Sequence, residues 1–262
     1  MIVQSHIECT AWQRERLVKM SKGICLVLLA VTLATNCVNA EIERPEERTK
    51  YAGCHERWLA GETKPGVYRT YPNTTHPVQV FCNFTKQAAS VVIQRRVDHT
   101  VSFYRGWQDY KRGFGSPQGS YWAGLDMIHY LTNTGYTTLR IDMSDWSGNN
   151  RYIIFNHFSV QDESRFYQMT VSPASQGNVN DDIGFSNGMR FATFDYYDPN
   201  QCAIHQKAGW WYNYCSYALP NGIYYHGGPY SPSGSFYDGI FWKDWLGYGY
   251  SLRFISMTLF KY

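Results

Sequence analysis

The segment from Cys202 to Phe241 constrains the fold of this chain more than any other. It contains two cysteines and the pair Trp210 and Trp211, with many tyrosines between breaks at Gly and Pro. This aromatic content excludes a disordered linker. The pattern predicts an ordered loop region that is held by a disulfide, a typical setting for ligand binding. For Trp210, Trp211 and Trp242, a place in the core is preferred over a place in a pocket.

The first forty residues have the pattern of a secretory signal. From Met20 the chain has a basic start, then the apolar run Ile24 to Ala34, then small residues up to Ala40. We expect residues 1–40 to be leader and signal peptide, with cleavage after Ala40. The apolar run is about a dozen residues, well short of the ~20 that span a bilayer, so a membrane anchor is the weaker interpretation.

Removal of this leader would leave four of the seven cysteines. An even number in an oxidising compartment predicts that all four are paired. Of the connectivities possible, sequence separation favours Cys54 with Cys82 and Cys202 with Cys215, since each pair closes a local loop. Each bond would stabilise the fold by about 3 kcal/mol in the chain-entropy model. Zinc binding is the alternative, but no CxxC or His-x-x-x-His spacing is present.

The charge of the remaining residues argues against nucleic acid and membrane insertion. The leader takes four of the 24 basic and two of the 21 acidic residues, which leaves 20 and 19. Such a balance provides no basic field for a polyanion. Residues 41–50 form a charged arm that is too short for a coiled coil or a collagen stalk. Residues 51–262 are long enough for one large domain.

Strand patterns dominate the first part of this domain. Short β-branched runs predict three strands, at Val67 to Tyr71, Val78 to Phe84 and Val91 to Arg96. We expect these strands to form a small antiparallel sheet next to the Cys54–Cys82 disulfide. Two segments with helical spacing follow, Gly106 to Gly113 and Asp126 to Thr132.

A second set of strands predicts a central meander. Alternating apolar and polar residues occur at Thr138 to Met143, Arg151 to Phe158 and Arg165 to Val171. The turn Ser147-Gly148-Asn149-Asn150 separates the first two. The closing run Ser251 to Phe260 also alternates, and we expect it to return to this sheet. The fold is therefore predicted to be α+β.

Several motifs occur in an order that resembles the fibrinogen C-terminal globular domain. They include Gln94-Arg95-Arg96, Gly209-Trp210-Trp211-Tyr212 and Asp238-Gly239-Ile240, and the resemblance extends from Cys54 to the last residue. It implies a central twisted antiparallel sheet with short helices, an N-terminal disulfide-linked lobe and a loop-rich C-terminal lobe. The family includes ficolins, tachylectin-like lectins, angiopoietins and tenascins, and it is not an enzyme family. The residues agree, because no nucleophile elbow or paired base occurs at motif spacing.

The resemblance also implies a calcium site in the C-terminal lobe. Asp195 matches the first of two family aspartates, whereas the second position holds Tyr197 and Asp198 follows one place later. The carboxylates of Asp195 and Asp198 could supply the hard oxygen ligands that calcium prefers, although Pro199 restricts the bending of the loop. The alternative is that both aspartates cap turns.

A ligand pocket is implied beside Cys215. In the acetyl-binding lectins of this family, a cis peptide precedes this cysteine and a neighbouring His lines the wall. Here the bond joins Tyr214 to Cys215, and Ser216 replaces the His, which predicts a pocket that is wider on this side. The aromatic wall maps to Phe236 and Tyr237, whose rings could pack on an acetyl methyl or on a sugar face. Core and pocket roles are equally open for Tyr214 and these two rings.

Two glycosylation sequons fit a secreted protein. Asn73 begins the sequon Asn73-Thr74-Thr75 in a polar turn, where we expect it to be exposed. Asn83 begins the sequon Asn83-Phe84-Thr85 directly after Cys82, where we expect it to be enclosed.

Two functions of different class remain. One is a secreted lectin, resembling ficolins and tachylectins, that binds acetylated or other surface glycans and glycoproteins in innate immune or self/non-self recognition. The alternative is a protein-binding ligand or matrix module that acts on a receptor, as angiopoietin and tenascin domains do. Single lectin sites bind weakly, so a homo-oligomer would gain strength through multivalency.

Overall fold

Antiparallel strands make up most of the regular structure. The computed structural model describes residues 50–73, 76–232 and 234–262. The strands there are β1 (Gly66–Asn73), β2 (His76–Phe84), β3 (Ala89–Arg96), β4 (Phe114–Gly115), β5 (Tyr121–Trp122), β6 (Thr138–Ser144), β7 (Asn150–Phe155), β8 (Phe158–Val160), β9 (Met169–Val171), β10 (Ala174–Gly177), β11 (Phe191–Ala192), β12 (Trp210–Trp211) and β13 (Phe254–Lys261). The helices are α1 (Cys54–Leu59), α2 (Trp107–Arg112), α3 (Leu125–Asn133), α4 (Cys202–His205) and α5 (Lys243–Leu246).

The first three strands belong to one large sheet, which corrects the expectation of a separate small one. The order is β1-β2-β3-β13-β6-β7-β10, with β4 and β5 attached beside β3. The closing strand β13 pairs with β3 on one side and β6 on the other, so that Met257 lies opposite both Gln94 and Ile141. Its buried side chains, Ile255, Met257 and Leu259 among them, place it in the core. The predicted return of the C-terminus to the central sheet is therefore confirmed, and this strand joins the two sets.

The predicted central meander is correct for its first two strands and wrong for the third. Strands β6 and β7 pair as expected. The backbone leaves this sheet after Phe155, and of the segment from Arg165 to Val171 only β9 is a strand, paired with β8. Phe166 and Tyr167 have φ values of 56° and 47°, a left-handed conformation that a strand cannot contain. The strand that follows β7 in the meander, and pairs with it, is β10 instead.

Both predicted helices are present at α2 and α3. Helix α3 buries Leu125, Ile128 and Leu131, which lie on one face because of the helical period. Helix α2 begins after Gly106, and its buried residues are Trp107 and Tyr110. The described residues contain no helix that is long and apolar enough to cross a membrane.

The structure contains both disulfides that the sequence predicts. Cys54 is bonded to Cys82 with a Cα separation of 5.6 Å, and Cys202 to Cys215 with one of 5.1 Å. The first bond ties α1 to β2. The second closes the segment that runs from α4 through β12.

The sequon at Asn83 is exposed, in contrast to the expectation from its neighbour Cys82. Side chains alternate across a strand, so the burial of Cys82 directs Asn83 outward. The other sequon includes Thr74 and Thr75, which lie outside the described residues. The leader and residues 41–49 of the charged arm lie outside them as well.

Candidate functional site

The segment that the Cys202–Cys215 disulfide closes contains a buried aromatic base. Strand β12 pairs with β11, and Trp210, Trp211 and Trp242 are fully buried, as the sequence predicts. Because these rings occupy the core, the residues that follow Trp211 are anchored at one end by β12 and at the other by the disulfide.

The peptide bond between Tyr214 and Cys215 is trans, which corrects the cis bond that the family resemblance implies. Every peptide bond of the described residues is trans. The backbone turns here through left-handed conformations instead, with φ values of 46° at Tyr214 and 70° at Cys215. The amide of Asn213 donates to the carbonyl oxygen of Cys215 at 2.9 Å and closes this turn.

Ser216 is linked through Gln206 to Tyr237, one of the two residues predicted to form the aromatic wall. It is buried, and its hydroxyl donates to Oε1 of Gln206 at 2.9 Å. The other end of the same amide, Nε2, donates to the carbonyl oxygen of Tyr237 at 3.1 Å. Gln206 thus fixes the backbone of Tyr237 relative to the disulfide loop. The small size of Ser216 suggested a pocket that is wider on this side. Because Ser216 is buried, it does not widen a pocket at the surface.

Phe236 and Tyr237 present their rings to solvent, with 41% and 43% of their surfaces exposed. The ring of Phe236 is stacked on His205, at 4.7 Å between centroids and 14° between planes. Tyr237 is nearly parallel to Tyr248 and meets the edge of Tyr230. Both rings are thus exposed at consecutive positions and are restrained by their ring neighbours.

Tyr214 lies apart from these two rings. Its side chain is 85% exposed and lines a cavity of about 240 Å³ whose other walls include Tyr197, Asp198, Asn213 and Tyr212. The structure therefore joins Ser216 and Tyr237 through Gln206, but it places Tyr214 in a different depression, next to the loop that holds the two predicted calcium ligands.

Asp195 holds the start of helix α2. Its Oδ1 accepts hydrogen bonds from the amide of Trp107 at 2.9 Å and from the hydroxyl of Thr193 at 2.7 Å. A Cβ atom on Gly106 would lie 2.5 Å from Oδ2, so only glycine allows this approach. The carboxylate of Asp195 thus acts as the N-cap for a helix whose own N-cap residue has no side chain.

Asp198 accepts a hydrogen bond at the start of helix α4. Its Oδ2 accepts from the amide of Ile204 at 3.2 Å. Partial burial raises the pKa of Asp198 above the ordinary value, and the amides at the start of α4 oppose this effect. Tyr197 and Gln201 are left-handed, with φ values of 51° and 55°. The loop therefore turns its two carboxylates towards different helices.

Two carboxylates alone fall short of the six to eight oxygen ligands that a calcium ion takes. Across residues 50–73, 76–232 and 234–262, no group of three acidic, histidine or cysteine side chains is placed to hold a metal. Oδ1 of Asp195 and Oδ2 of Asp198 accept amide hydrogen bonds, so most ligands of an ion would have to come from other groups. Calcium binding at Asp195 and Asp198 stays a prediction from the family resemblance.

A stability measurement separates a capping role of Asp195 from a calcium-binding role. We expect Asp195→Ala to lower the free energy of unfolding by about 1 kcal/mol, the usual loss for a missing N-cap. Because the hydrogen bonds need no ion, the loss should be the same with EDTA and with excess Ca²⁺. Urea denaturation under both conditions measures it. A loss that appears only with Ca²⁺, and that Asp198→Ala reproduces, would identify an ion ligand instead.

Gln206 and His205 are site residues that the sequence analysis missed. Their position inside the loop closed by Cys202 and Cys215 is a signal that could have drawn attention to them. Their partners Tyr237 and Phe236 lie some thirty residues later, and only the folded protein shows these contacts.

The sheet, the two disulfide-closed segments and the loop-rich C-terminal part together define a fibrinogen-like globular domain. The protein belongs to the family of C-terminal globular domains of the fibrinogen beta and gamma chains, and the model of this family matches residues 50–262.

Relatives of known name support this assignment. The sequence is 34% identical to Ryncolin-4 of Cerberus rynchops over 215 residues, which cover 80% of this chain and 61% of that protein. It is similar to the solved fibrinogen-like globe domain of human ANGPTL2, at 35% identity and a TM-score of 0.74, over 80% of this chain and 98% of the other. A lamprey fibrin D-dimer in complex with the peptide ligand Gly-His-Arg-Pro-amide is 26% identical, with a TM-score of 0.75, over 95% of this chain and 85% of the other. The chain spans 42% to 61% of the length of several curated relatives.

Proposed function

We propose that this chain is a secreted recognition protein that binds acetylated or other surface glycans through Phe236 and Tyr237. The observation that carries the proposal is the pair of exposed, firmly held rings beside the Cys202–Cys215 disulfide. Aromatic faces pack well on the apolar face of a sugar ring or on an acetyl methyl. Preordered rings also lose little side-chain entropy on binding. Recognition of this kind requires binding but no chemical reaction. The absence of enzymatic activity stays a prediction.

The polar partners of a glycan would come from the same surface. His205 stacks under Phe236 and is exposed in part. The carbonyl oxygen of Tyr237 is held by Gln206, which fixes the backbone that would present polar groups to the sugar. A site of two rings and a few polar groups is small, so we expect N-acetylglucosamine to bind with a Kd of roughly 1 mM. Useful affinity would then require several copies of the site.

Amide chemical shifts during titration with N-acetylglucosamine test this proposal. We expect perturbations around Gln206, Ser216 and Tyr237, and a loss of at least about fivefold in affinity for Phe236→Ala or Tyr237→Ala, the equivalent of one lost packing contact. Tyr262→Ala removes another exposed ring, at the end of the chain beyond β13, and should leave binding unchanged. Perturbations confined to residues before 170, or full binding by both ring variants, would contradict the proposal.

Protein binding is the second candidate, because exposed aromatic rings extend beyond the area of one sugar. Tyr104 lies against Phe194 with 4.8 Å between ring centroids, and the neighbouring Tyr196 and Tyr197 are exposed as well. Aromatic residues are enriched in protein interfaces. The lamprey fibrin relative binds a peptide. The Phe194→Ala variant tests this function. Weaker binding of a receptor or peptide by this variant, with unchanged binding of N-acetylglucosamine, would establish it.

A further inference from the structure

A cavity of about 260 Å³ lies at the end of β3, on residues that the proposed glycan surface does not use. Its floor includes Arg96, Phe103 and Gly222, which are buried, and its mouth includes His99, Tyr104 and Lys207. This volume is close to the lower end of ligand pockets and suits one monosaccharide. The lining contains three basic side chains and no Asp or Glu.

Arg96 is an unusual residue to find on the floor of a cavity. Only 1% of its surface is exposed, and its guanidinium lies over the ring of Phe103 with 4.0 Å from Cζ to the centroid. One terminal nitrogen donates to the carbonyl oxygen of Gly222, whereas Nε has no hydrogen-bond partner among the described residues. No carboxylate in the part of the protein that the structure describes lies within ion-pair distance of it.

Arg96 therefore has no direct ion pair, and among the charged groups that act on it is the more distant carboxylate of Asp98. Burial lowers the pKa of Arg96 to about 10, so the side chain is still protonated at neutral pH. A buried charge is costly unless it is paired and fully hydrogen-bonded. A ligand that brought an anion to this guanidinium would remove part of that cost. Arginine is also the side chain best suited to hold a carboxylate, because its donors form a planar fork.

Lys207 places a second cation at the mouth. Its backbone is left-handed, with φ of 51°, and its Nζ lies 3.7 Å from Oδ2 of Asp238. Asp238 is itself buried and accepts a hydrogen bond from the hydroxyl of Tyr225 at 3.0 Å. Lys207 therefore lines the cavity while its ammonium group is restrained by this anchored carboxylate.

We propose that this cavity binds the carboxylate of an acidic monosaccharide, with Arg96 on its floor and Lys207 at its mouth as the cationic partners. The exposed ring of Tyr104 lies beside the mouth and offers an apolar face to the sugar. This site is separate from the surface of Phe236 and Tyr237, and the proposal does not depend on glycan binding there. It adds discrimination between acidic and neutral sugars to what the fold can recognise.

Titrations with glucuronic acid and glucose test the proposal on the disulfide-bonded protein. The two sugars differ in one carboxylate, so we expect glucuronic acid to bind with a Kd of roughly 1 mM and glucose at least about tenfold more weakly. Lys207→Gln should weaken glucuronic acid about fivefold. Lys86→Gln removes an exposed lysine elsewhere and should change nothing. The Lys207 variant is the main test because Arg96 is buried and its replacement risks loss of the fold.

Four results would overturn the proposal. The first is equal binding of glucuronic acid and glucose, and the second is full binding of glucuronic acid by Lys207→Gln. The third is tighter binding of N-acetylalanine, which mimics the C-terminus of a peptide, than of glucuronic acid. The fourth is loss of glucuronic acid binding in Phe236→Ala, which would place the carboxylate at the other surface.

Discussion

Trp211→Ala is expected to lower the free energy of unfolding by about 3–5 kcal/mol, the range for deleting a large buried aromatic side chain. The indole is fully buried and lies in edge contact with Phe191, with 5.0 Å between ring centroids, and with Trp210 at 5.1 Å. Its Nε1 donates to the carbonyl oxygen of Tyr167 at 2.8 Å. The substitution would therefore leave both a cavity and a buried carbonyl without its donor. Urea denaturation followed by circular dichroism measures the loss.

The matched control is Tyr214→Ala, three residues away in the same disulfide loop. Because Tyr214 is 85% exposed, its removal should change stability by less than about 0.5 kcal/mol. Trp211→Phe keeps most of the ring volume and gives a measurable value if the alanine variant does not fold. A loss below about 1 kcal/mol for both Trp211 variants would show that this aromatic base does not support the loop.

The sequence predicts the positions of individual strands and helices better than it predicts how they are arranged. Local patterns located β1 to β3, β6, β7, α2 and α3, because alternation and helical period depend only on neighbours in the sequence. The merging of the two sets of strands through β13 depends on pairing across more than a hundred residues, and no local pattern contains it. The left-handed residues Phe166 and Tyr167 lie in a segment that alternates like a strand, so tertiary contacts overrode the pattern there.

The site was predictable to a smaller degree. Residue type and position identified Phe236 and Tyr237 as candidates, and the structure exposes both. They could not show that Gln206 connects Ser216 to Tyr237, because this network joins three segments that meet only after folding.

The two aspartates show the same limit. The sequence is consistent with calcium ligands or with caps, and the observed hydrogen bonds of Asp195 and Asp198 are those of caps. A carboxylate in a loop is consistent with either role until its donors are known.

Asp182 combines complete burial with an incomplete set of hydrogen bonds. Only 1% of its surface is exposed, its Oδ2 accepts from the amide of Asp244 at 2.8 Å, and its Oδ1 has no partner within the described ranges. Burial raises the pKa of Asp182 to about 7, and the nearby charge of Asp244 adds to this effect. The folded protein therefore holds the proton of Asp182 more tightly than the unfolded one, in which the pKa is near 3.8.

The stabilising contribution of this protonated group should be fully present below about pH 4 and should be lost as the pH rises to about 7. Between these values the unfolded protein has released the proton and the folded protein has not, so the free energy of unfolding falls with pH. The two pKa values correspond to a total loss of roughly 4 kcal/mol at most. We expect Asp182→Asn to remove this loss, because the neutral amide of the same shape still offers an oxygen to Asp244.

Comparison of the two proteins by urea denaturation between about pH 4 and pH 8 isolates this group, since other carboxylates contribute equally to both. The stabilities should be similar at the acidic end, and Asp182→Asn should exceed the natural protein by several kcal/mol at the alkaline end. Asp181→Asn replaces the adjacent carboxylate, which accepts from the amide of Gly184 at 2.7 Å, and should leave the slope with pH in place. A constant difference between Asp182→Asn and the natural protein over this range would mean that Asp182 is ionised in the fold. Its buried charge would then have to be balanced by the amide of Asp244 and by Lys243, the two groups that oppose the rise of its pKa.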